Sequence, residues 1–388
     1  MKKIFIRNIS HCCGFEDPVS TPSSILIDEY GKINKQPEND GGSDYEVIDA
    51  SGLWLSPGWI DIHTHVYKGV CDVGLDPDLI GPVQGVATLV DAGSAGYITF
   101  PGLRDYVIKR HNYEIYALLN LGSTGIIRTN IISEYETDDF VQPDATIACI
   151  EQNRDYIKGL KLRASKKVFK GRLGIDFVKM ASDTAREAKV PLVVHVSDPG
   201  SGPALGDILN VLHAGDILTH CFHGLPGGIL SSENGQIIKE ARAARDRGVL
   251  FDVGHGAGSF SFKTGQEAVA QGFKPDFIGS DLHEWSYPQP AGSLSTTMAK
   301  MIACGLDAEE VIRMITQRPV EFLKLDKNRL NLTPGIKACF TLFRLEEREK
   351  TVFDSRASST GPMKNPFTTR IQVLPVMTII GCENTRQS

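Results

Sequence analysis

Eight short apolar runs, alternating with longer stretches of helical spacing, constrain this chain more than any other feature. The runs are Gly58 to His65, Val86 to Asp91, Glu114 to Leu121, Ile157 to Arg163, Pro191 to Val196, Asp216 to His220, Val249 to Val253 and Phe277 to Asp281. Helices are predicted between them over Leu103 to His111, Asp144 to Asn153, Asp176 to Lys189, Asn234 to Arg247 and Lys263 to Gln271. In the third of these, Phe177, Met180, Ala181, Thr184, Ala185 and Ala188 recur at helical spacing with charge on the opposite face. Such alternation is the signature of βα units and a parallel sheet. Eight units in about 270 residues match a (β/α)8 barrel of TIM type, whose usual size is about 250 residues. A doubly wound open sheet is the competing α/β arrangement, but no GxGxxG follows an early strand.

The flanks read differently. Lys3 to Ile9, Ser24 to Asp28 and Tyr45 to Asp49 are β-rich and separated by turn residues such as the cluster Pro37 to Ser43. Beyond about residue 325 the pattern is β-like again, with predicted strands at Phe340 to Leu345 and Arg370 to Ile380 around a polar hairpin region, Asp354 to Lys364. The expectation is one small β domain built from both termini, residues 1–56 and 326–388, beside a barrel over 57–325.

Composition excludes several function classes. Of the 388 residues 41% are hydrophobic and 23% charged, and 41 Lys+Arg against 47 Asp+Glu leave a formal charge of -6. With no basic block there is no electrostatic footprint for nucleic acid or an anionic membrane. The eight cysteines form no CxxC pair, which speaks for reduced thiols. Arg7 and Asn8 interrupt the first apolar run, so no signal peptide is predicted, and no stretch has the roughly 18 apolar residues of a membrane span. The expected partner is a small-molecule substrate in the cytoplasm, and a homo-oligomer is left open.

Chemistry-bearing residues collect at the ends of the predicted strands. Asp61-Ile62-His63-Thr64-His65 closes the first. Side chains alternate along a strand, so His63 and His65 face one way and can converge on one metal ion. Lys161 lies late on the fourth run, His195 ends the fifth, His220 the sixth and Asp281 the eighth. Singly, each reads as a core histidine, a strand-end carboxylate or a solvated lysine. Five strand ends of eight in register, at the face where barrel enzymes place their sites, point to a metal centre.

On these residues the chain resembles the amidohydrolase superfamily along nearly its whole length. Pro57-Gly58-Trp59-Ile60-Asp61-Ile62-His63-Thr64-His65 looks like the superfamily's opening motif. The order His-x-His, Lys, His, His, Asp looks like its binuclear branch. Gly159-Leu160-Lys161-Leu162-Arg163-Ala164-Ser165, Leu218-Thr219-His220-Cys221-Phe222-His223-Gly224 and Asp252-Val253-Gly254-His255-Gly256 are similar to its amidohydrolase/deacetylase group. The resemblance implies two divalent ions, expected as Zn2+, held by His63, His65, Lys161, His195, His220 and Asp281, with Lys161 carboxylated by CO2 to a bridging carbamate. A metal-bridging hydroxide would then cleave an amide or ester, and Asp281 would be the catalytic proton carrier. Cys339 stands where the family often has Asp before a strand, and the last forty residues follow no family pattern.

Four further residues are candidate substrate contacts. Arg163, two positions beyond Lys161, presents a planar fork suited to a carboxylate, or pairs with a neighbouring acid. His255 sits in a glycine-rich loop, and His223 and His283 lie near predicted ligands, where they could orient them. The leading reading is a zinc hydrolase of deacetylase or aminoacylase type acting on a small carboxylate-bearing molecule. A cyclic-amide hydrolase such as a dihydroorotase would share the ligands. An adenine-type deaminase is the other catalytic alternative, although no Glu follows His195 in Val196-Ser197-Asp198-Pro199-Gly200. A non-catalytic scaffold should have lost ligands, and all six are present.

Overall fold

The computed structural model describes residues 3–16, 22–34, 45–129, 131–165, 168, 174–196, 203–356 and 361–386. Five short strands open the chain: β1 (Lys3–Arg7), β2 (His11–Cys12), β3 (Ser24–Ile27), β4 (Ile33–Asn34) and β5 (Tyr45–Asp49). β6 (Trp54–Pro57) follows, and the barrel strands are β7 (Trp59–Thr64), β8 (Val86–Ala92), β9 (Glu114–Asn120), β10 (Ile157–Ala164), β11 (Leu192–Val196), β12 (Ile217–Thr219) and β13 (Leu250–Asp252). They form one parallel sheet in sequence order. The predicted α/β barrel and the small β domain are both present.

The eighth run differs from expectation. Phe277 to Asp281 makes no ladder; it closes the circle by single bridges, Phe277 to Asp252 on one side and Leu282 to Thr64 on the other. Besides main-chain bonds, such as Phe277 N–H to the Phe251 carbonyl and Asp281 N–H to the His63 carbonyl, it bonds to neighbouring side chains. Ser280 N–H and Oγ both donate to Asp61, and Gly279 N–H donates to Asp252 Oδ1. Asp281 adopts φ 49°, which an extended strand cannot accommodate.

Two apolar layers flank the sheet. Outward-facing Leu89, Leu119, Leu160, Leu192 and Leu218 pack against the helices. Inside, Ile60, Ile62, Val90, Val193 and Ile217 pack with Phe277, Val320 and Leu323, plugging the barrel at its amino-terminal end. The predicted ligands gather at the opposite mouth. The predicted helices appear at Phe100–Tyr106, Pro143–Gln152, Ile175–Glu187, Lys239–Asp246 and Phe262–Ala270. The fourth starts later than expected because Ile237 is drawn into a bridge with Leu230. Further helices, Leu205–Val211, Leu294–Ala303, Ala308–Ile315 and Gln317–Phe322, had no clear sequence signal.

The carboxy terminus departs most from prediction. In place of two short strands it forms β14 (Cys339–Arg356) and β15 (Met363–Ile380), an antiparallel pair of 18 residues each, with β16 (Glu383–Arg386) beside β15. β14 also pairs with β6, and β6 with β2, so both chain ends share a sheet. The mixed run Glu346 to Lys350 is mostly exposed in mid-strand, which is why it carried no strand periodicity. The Pro37 to Ser43 cluster and part of the expected hairpin turn lie outside the described residues. None of the eight cysteines is in a disulfide, and no helix among the described residues is long and apolar enough to cross a membrane.

Candidate metal centre at the barrel mouth

Three ligand atoms of the predicted set converge most closely. His63, His65 and Asp281 are buried and each offers one atom within 4.8 Å of the others. Asp281 Oδ1 lies 3.3 Å from His65 Nε2 and 3.6 Å from His63 Nε2. A register shift puts three steps of β7, Asp61 to Thr64, against two of β8, Leu89 to Asp91. This extra residue lets Ile62 join the inner apolar layer while His63 and His65 both reach the mouth.

Each of these imidazoles is held from behind. His63 Nδ1 meets Asp252 Oδ2 at 3.1 Å and Thr219 Oγ1 at 3.0 Å, and Thr219 Oγ1 donates to the same carboxylate oxygen. His65 Nδ1 meets Ser94 Oγ at 2.9 Å, in a turn whose Ser94 N–H donates to Asp91. Anchoring the far nitrogen fixes the ring so that Nε2 points at a common centre.

The second group sits beside the first. His220 Nδ1 is 2.6 Å from the Gly254 carbonyl, and its Nε2 faces His195 Nδ1 at 2.7 Å. His220 lies just past the end of β12 with φ 65°. That left-handed turn, worth about 1–2 kcal/mol of strain, breaks strand alternation, so the neighbours Thr219 and His220 both serve the site. Ser280 and Asp281 repeat the device. Strained backbone at two predicted ligand positions is in keeping with a functional site.

Lys161 reaches the first group, and its charge is felt by His195 and His220 of the second. Its Nζ lies 3.3 Å from His63 Nε2, it is fully buried, and among the described residues it makes no ion pair. Burial pulls its ammonium down to about 8. Burial also holds His63 and His195 below the usual histidine range and brings His220 to about 3, so all three are neutral, with lone pairs available. Burial alone would raise the Asp281 carboxyl, but His63, His283, His65 and His220 outweigh it and hold the group well below the usual carboxylate range. Neutral imidazoles, one ionised carboxylate and an amine poised to lose its proton fit divalent cations.

The candidate substrate residues fare unequally. Arg163 is paired: its Nη1 donates to Glu134 Oε1 at 2.5 Å, while Glu134 Oε2 accepts from Asn120 Nδ2. Its charge nevertheless depresses His195 and His283, so it lies within the electrostatic reach of the mouth. His283, brought to about 4 by burial, has its ring 6.0 Å from that of His65 and accepts the Trp285 N–H. His223 is buried and its ring accepts the Leu225 N–H. His255 is fully buried with both nitrogens engaged, Nδ1 by the Gly256 carbonyl and Nε2 by Lys300. Neither nitrogen is available for the substrate contact that the glycine-rich loop suggested. Residues 197–202, on which the absence of a Glu after His195 bears, lie outside the described residues.

Sequence reasoning missed the residues that orient the ligands: Asp252, Thr219, Ser94 and Asp61. It also missed the Glu134–Asn120–Tyr135 network around Arg163, in which the Tyr135 hydroxyl accepts from Arg163 N–H and lies 3.3 Å from Asn120 Oδ1. Asp252 had one visible signal, a carboxylate late in the apolar run Val249 to Val253.

A barrel with this ligand set at its carboxyl-terminal mouth defines a metal-dependent hydrolase. The chain belongs to the amidohydrolase family, whose profile matches residues 142–369, and hydrolysis of carbon–nitrogen bonds is the chemistry of that class. It is 38% identical over 365 residues to a deacetylase of Agrobacterium fabrum, covering 93% of this chain and 88% of the relative. Among solved structures it is similar to one described as a dihydroorotase, with TM-score 0.90 and 33% identity over 100% of this chain and 98% of the other. Another, described as an adenine deaminase, has TM-score 0.85 and 29% identity over the full length of both chains.

Proposed function

We propose that this protein is a binuclear zinc hydrolase that removes an acyl group, by amide or ester cleavage, from a small carboxylate-bearing molecule. The observation that carries this reading is the convergence of His63, His65 and Asp281, with Lys161 against His63 and the facing pair His195 and His220 beside them. His63, His65 and Asp281 would hold one ion and His195 with His220 the other. Lys161, as a carbamate, would supply an oxygen to each. Bound zinc would polarise the substrate carbonyl and make a water acidic at neutral pH.

The chain's own residues account for the rest. Asp281, ionised and acceptor-only, takes the proton of the attacking water as oxygen bonds to the carbonyl carbon. As the carbon–nitrogen or carbon–oxygen bond breaks, Asp281 returns that proton to the leaving amine or alkoxide. Asp252 and Ser94 keep the imidazoles oriented throughout. Arg163, steadied by Glu134, offers its remaining guanidinium edge to the substrate carboxylate. Support for acyl removal comes from the deacetylase name of the Agrobacterium relative. A cyclic-amide hydrolase needs the same ligands, and the structural likeness to a dihydroorotase favours it as the second reading.

The test is elemental analysis of the purified protein together with a screen of N-acetyl-D- and L-amino acids, acetylated hydroxy acids and cyclic ureides. About two zinc per chain and turnover of an acetylated acid are expected. Turnover of ureides alone would install the second reading. A chain free of metal and inert to all three classes would remove both.

A further inference from the structure

Lys300 stands on the helix Leu294–Ala303, is fully buried, and forms no part of the metal centre. Its Nζ makes three contacts of 2.7 Å, to His255 Nε2, the Pro290 carbonyl and the Phe353 carbonyl. The protonation states follow from the partners. The Gly256 carbonyl can only accept, so His255 Nδ1 carries the hydrogen, and in a neutral ring Nε2 is then an acceptor. Lys300 therefore faces three acceptors, and only an ammonium has three hydrogens to match. Burial draws that group down to about 7 against the opposing pull of Asp354, and the three acceptors complete the support of its charged form. A buried ammonium among neutral acceptors is a poor way to fill a helix face, and a function for it is implied.

The partners lie on three different parts of the chain. Phe353 is near the tip of the long β14–β15 hairpin. The next residues fasten that tip to the barrel. Asp354 Oδ2 accepts from Phe262 N–H, Arg356 N–H donates to the Ala257 carbonyl, and the Arg356 guanidinium donates to the carbonyls of Trp285 and Gln289. His255 is the middle residue of a loop that touches both halves of the metal centre. Gly254 gives its carbonyl to His220 Nδ1. Gly256, at φ 56°, lies so close to Asp281 that a Cβ there would collide with Oδ2, and its N–H donates to the Ser280 carbonyl.

We propose that Lys300 is a positioning residue, tying the tip of the carboxy-terminal hairpin to His255 and so setting the loop Gly254–Gly256 against His220 and Asp281. The hairpin is then a wall of the barrel mouth rather than a remote appendage, and activity depends on its docking. This rests on the hydrolase reading for its catalytic consequence but not for the tie itself.

The experiment is hydrogen-exchange mass spectrometry on the full chain, comparing wild type with Lys300→Met and, as a second variant, Arg356→Met, which loosens the hairpin tip without touching Lys300. Exchange in peptides spanning 253–258 and 350–356 is expected to rise about tenfold or more in both variants, while β7 to β11 stay protected. On whichever acetylated substrate the screen yields, Lys300→Met should lower kcat about tenfold with KM within about twofold and zinc content unchanged. Exchange at 253–258 remaining as in wild type, in whichever variant folds, would overturn the proposal. Should no probe be hydrolysed, the functional reading fails, and the exchange data still decide the tie.

Discussion

The two halves of the proposed metal centre are held in different ways. On β7, His63 and His65 are steadied by side chains, Asp252 with Thr219 behind one and Ser94 behind the other. Just past β12, His220 is steadied by a main-chain carbonyl, that of Gly254. A side-chain anchor can be removed by one substitution without moving the backbone. A carbonyl anchor can be disturbed only by displacing its loop, which is the loop Lys300 reaches through His255. The first half is thus tuned locally and the second from a distance.

The largest effect should fall on Asp281, which belongs to the first half but abuts the loop of the second. Asp281→Asn keeps size and shape while removing the proton acceptor, so kcat should fall by about 10²–10⁴. Steady-state kinetics at constant zinc occupancy checks this. A fall below about tenfold would make Asp281 a ligand only and leave the proton to another group.

Arg163 is the next in size and belongs to neither half. Arg163→Met keeps the stem and removes the fork. A charged hydrogen bond is worth about 1.5–3 kcal/mol, so kcat/KM for acidic substrates should drop roughly 10- to 150-fold through KM, with neutral amides much less affected. Equal loss on both would show that the Arg163–Glu134 pair only holds the mouth together, and would set it with the anchors.

Asp252→Asn tests the comparison directly. It keeps a contact to His63 Nδ1 but removes the charge that orients and enriches that ring. Zinc affinity should weaken by about 10- to 100-fold, the usual effect of losing such a partner, with the loss confined to one ion of the two. Competition titration with a chelator would resolve this. Equal weakening of both ions would mean that the halves are not separately anchored.

How much of this was legible beforehand follows from the range of each signal. The histidines of β7 are two apart on one strand, a local pattern, and Asp281, His195 and His220 end apolar runs. Asp252 stands late in an apolar run in much the same way, so nothing local separates an orienting carboxylate from a ligand. Glu134 lies in irregular chain between β9 and β10, where no periodicity assigns a direction. Lys300 reads as a solvated lysine unless one notices Met298, Met301 and Cys304 around it, all buried. The docking of Arg356 against Trp285 joins residues about seventy apart, a pairing that neither propensity nor spacing encodes.

The smallest effect on catalysis should come from the side chain of His223, which is buried three residues past His220, to whose carbonyl the His223 N–H donates. Burial pushes its ring down to about 4, against about 6.5 in an unfolded chain. Between those values the unfolded chain binds the proton and the folded one does not, so acid favours unfolding. The loss begins as pH falls below about 6.5 and is complete near 4, amounting to ~3 kcal/mol at most. Asp61 works in the opposite sense, because burial raises its carboxyl to about 7 and the folded state binds that proton first. The difference between variant and wild type is therefore the quantity to follow. His223→Phe leaves the Leu225 N–H without its acceptor, which should lower stability by about 1–3 kcal/mol at every pH. It should also flatten the decline between pH 6.5 and 4 relative to wild type, with kcat at pH 7 within about twofold. Denaturant unfolding at several pH values would show the flattening. A parallel decline in both proteins would mean that His223 is protonated in the fold, and a large loss of kcat would bring it into the second half of the centre as a further support for His220.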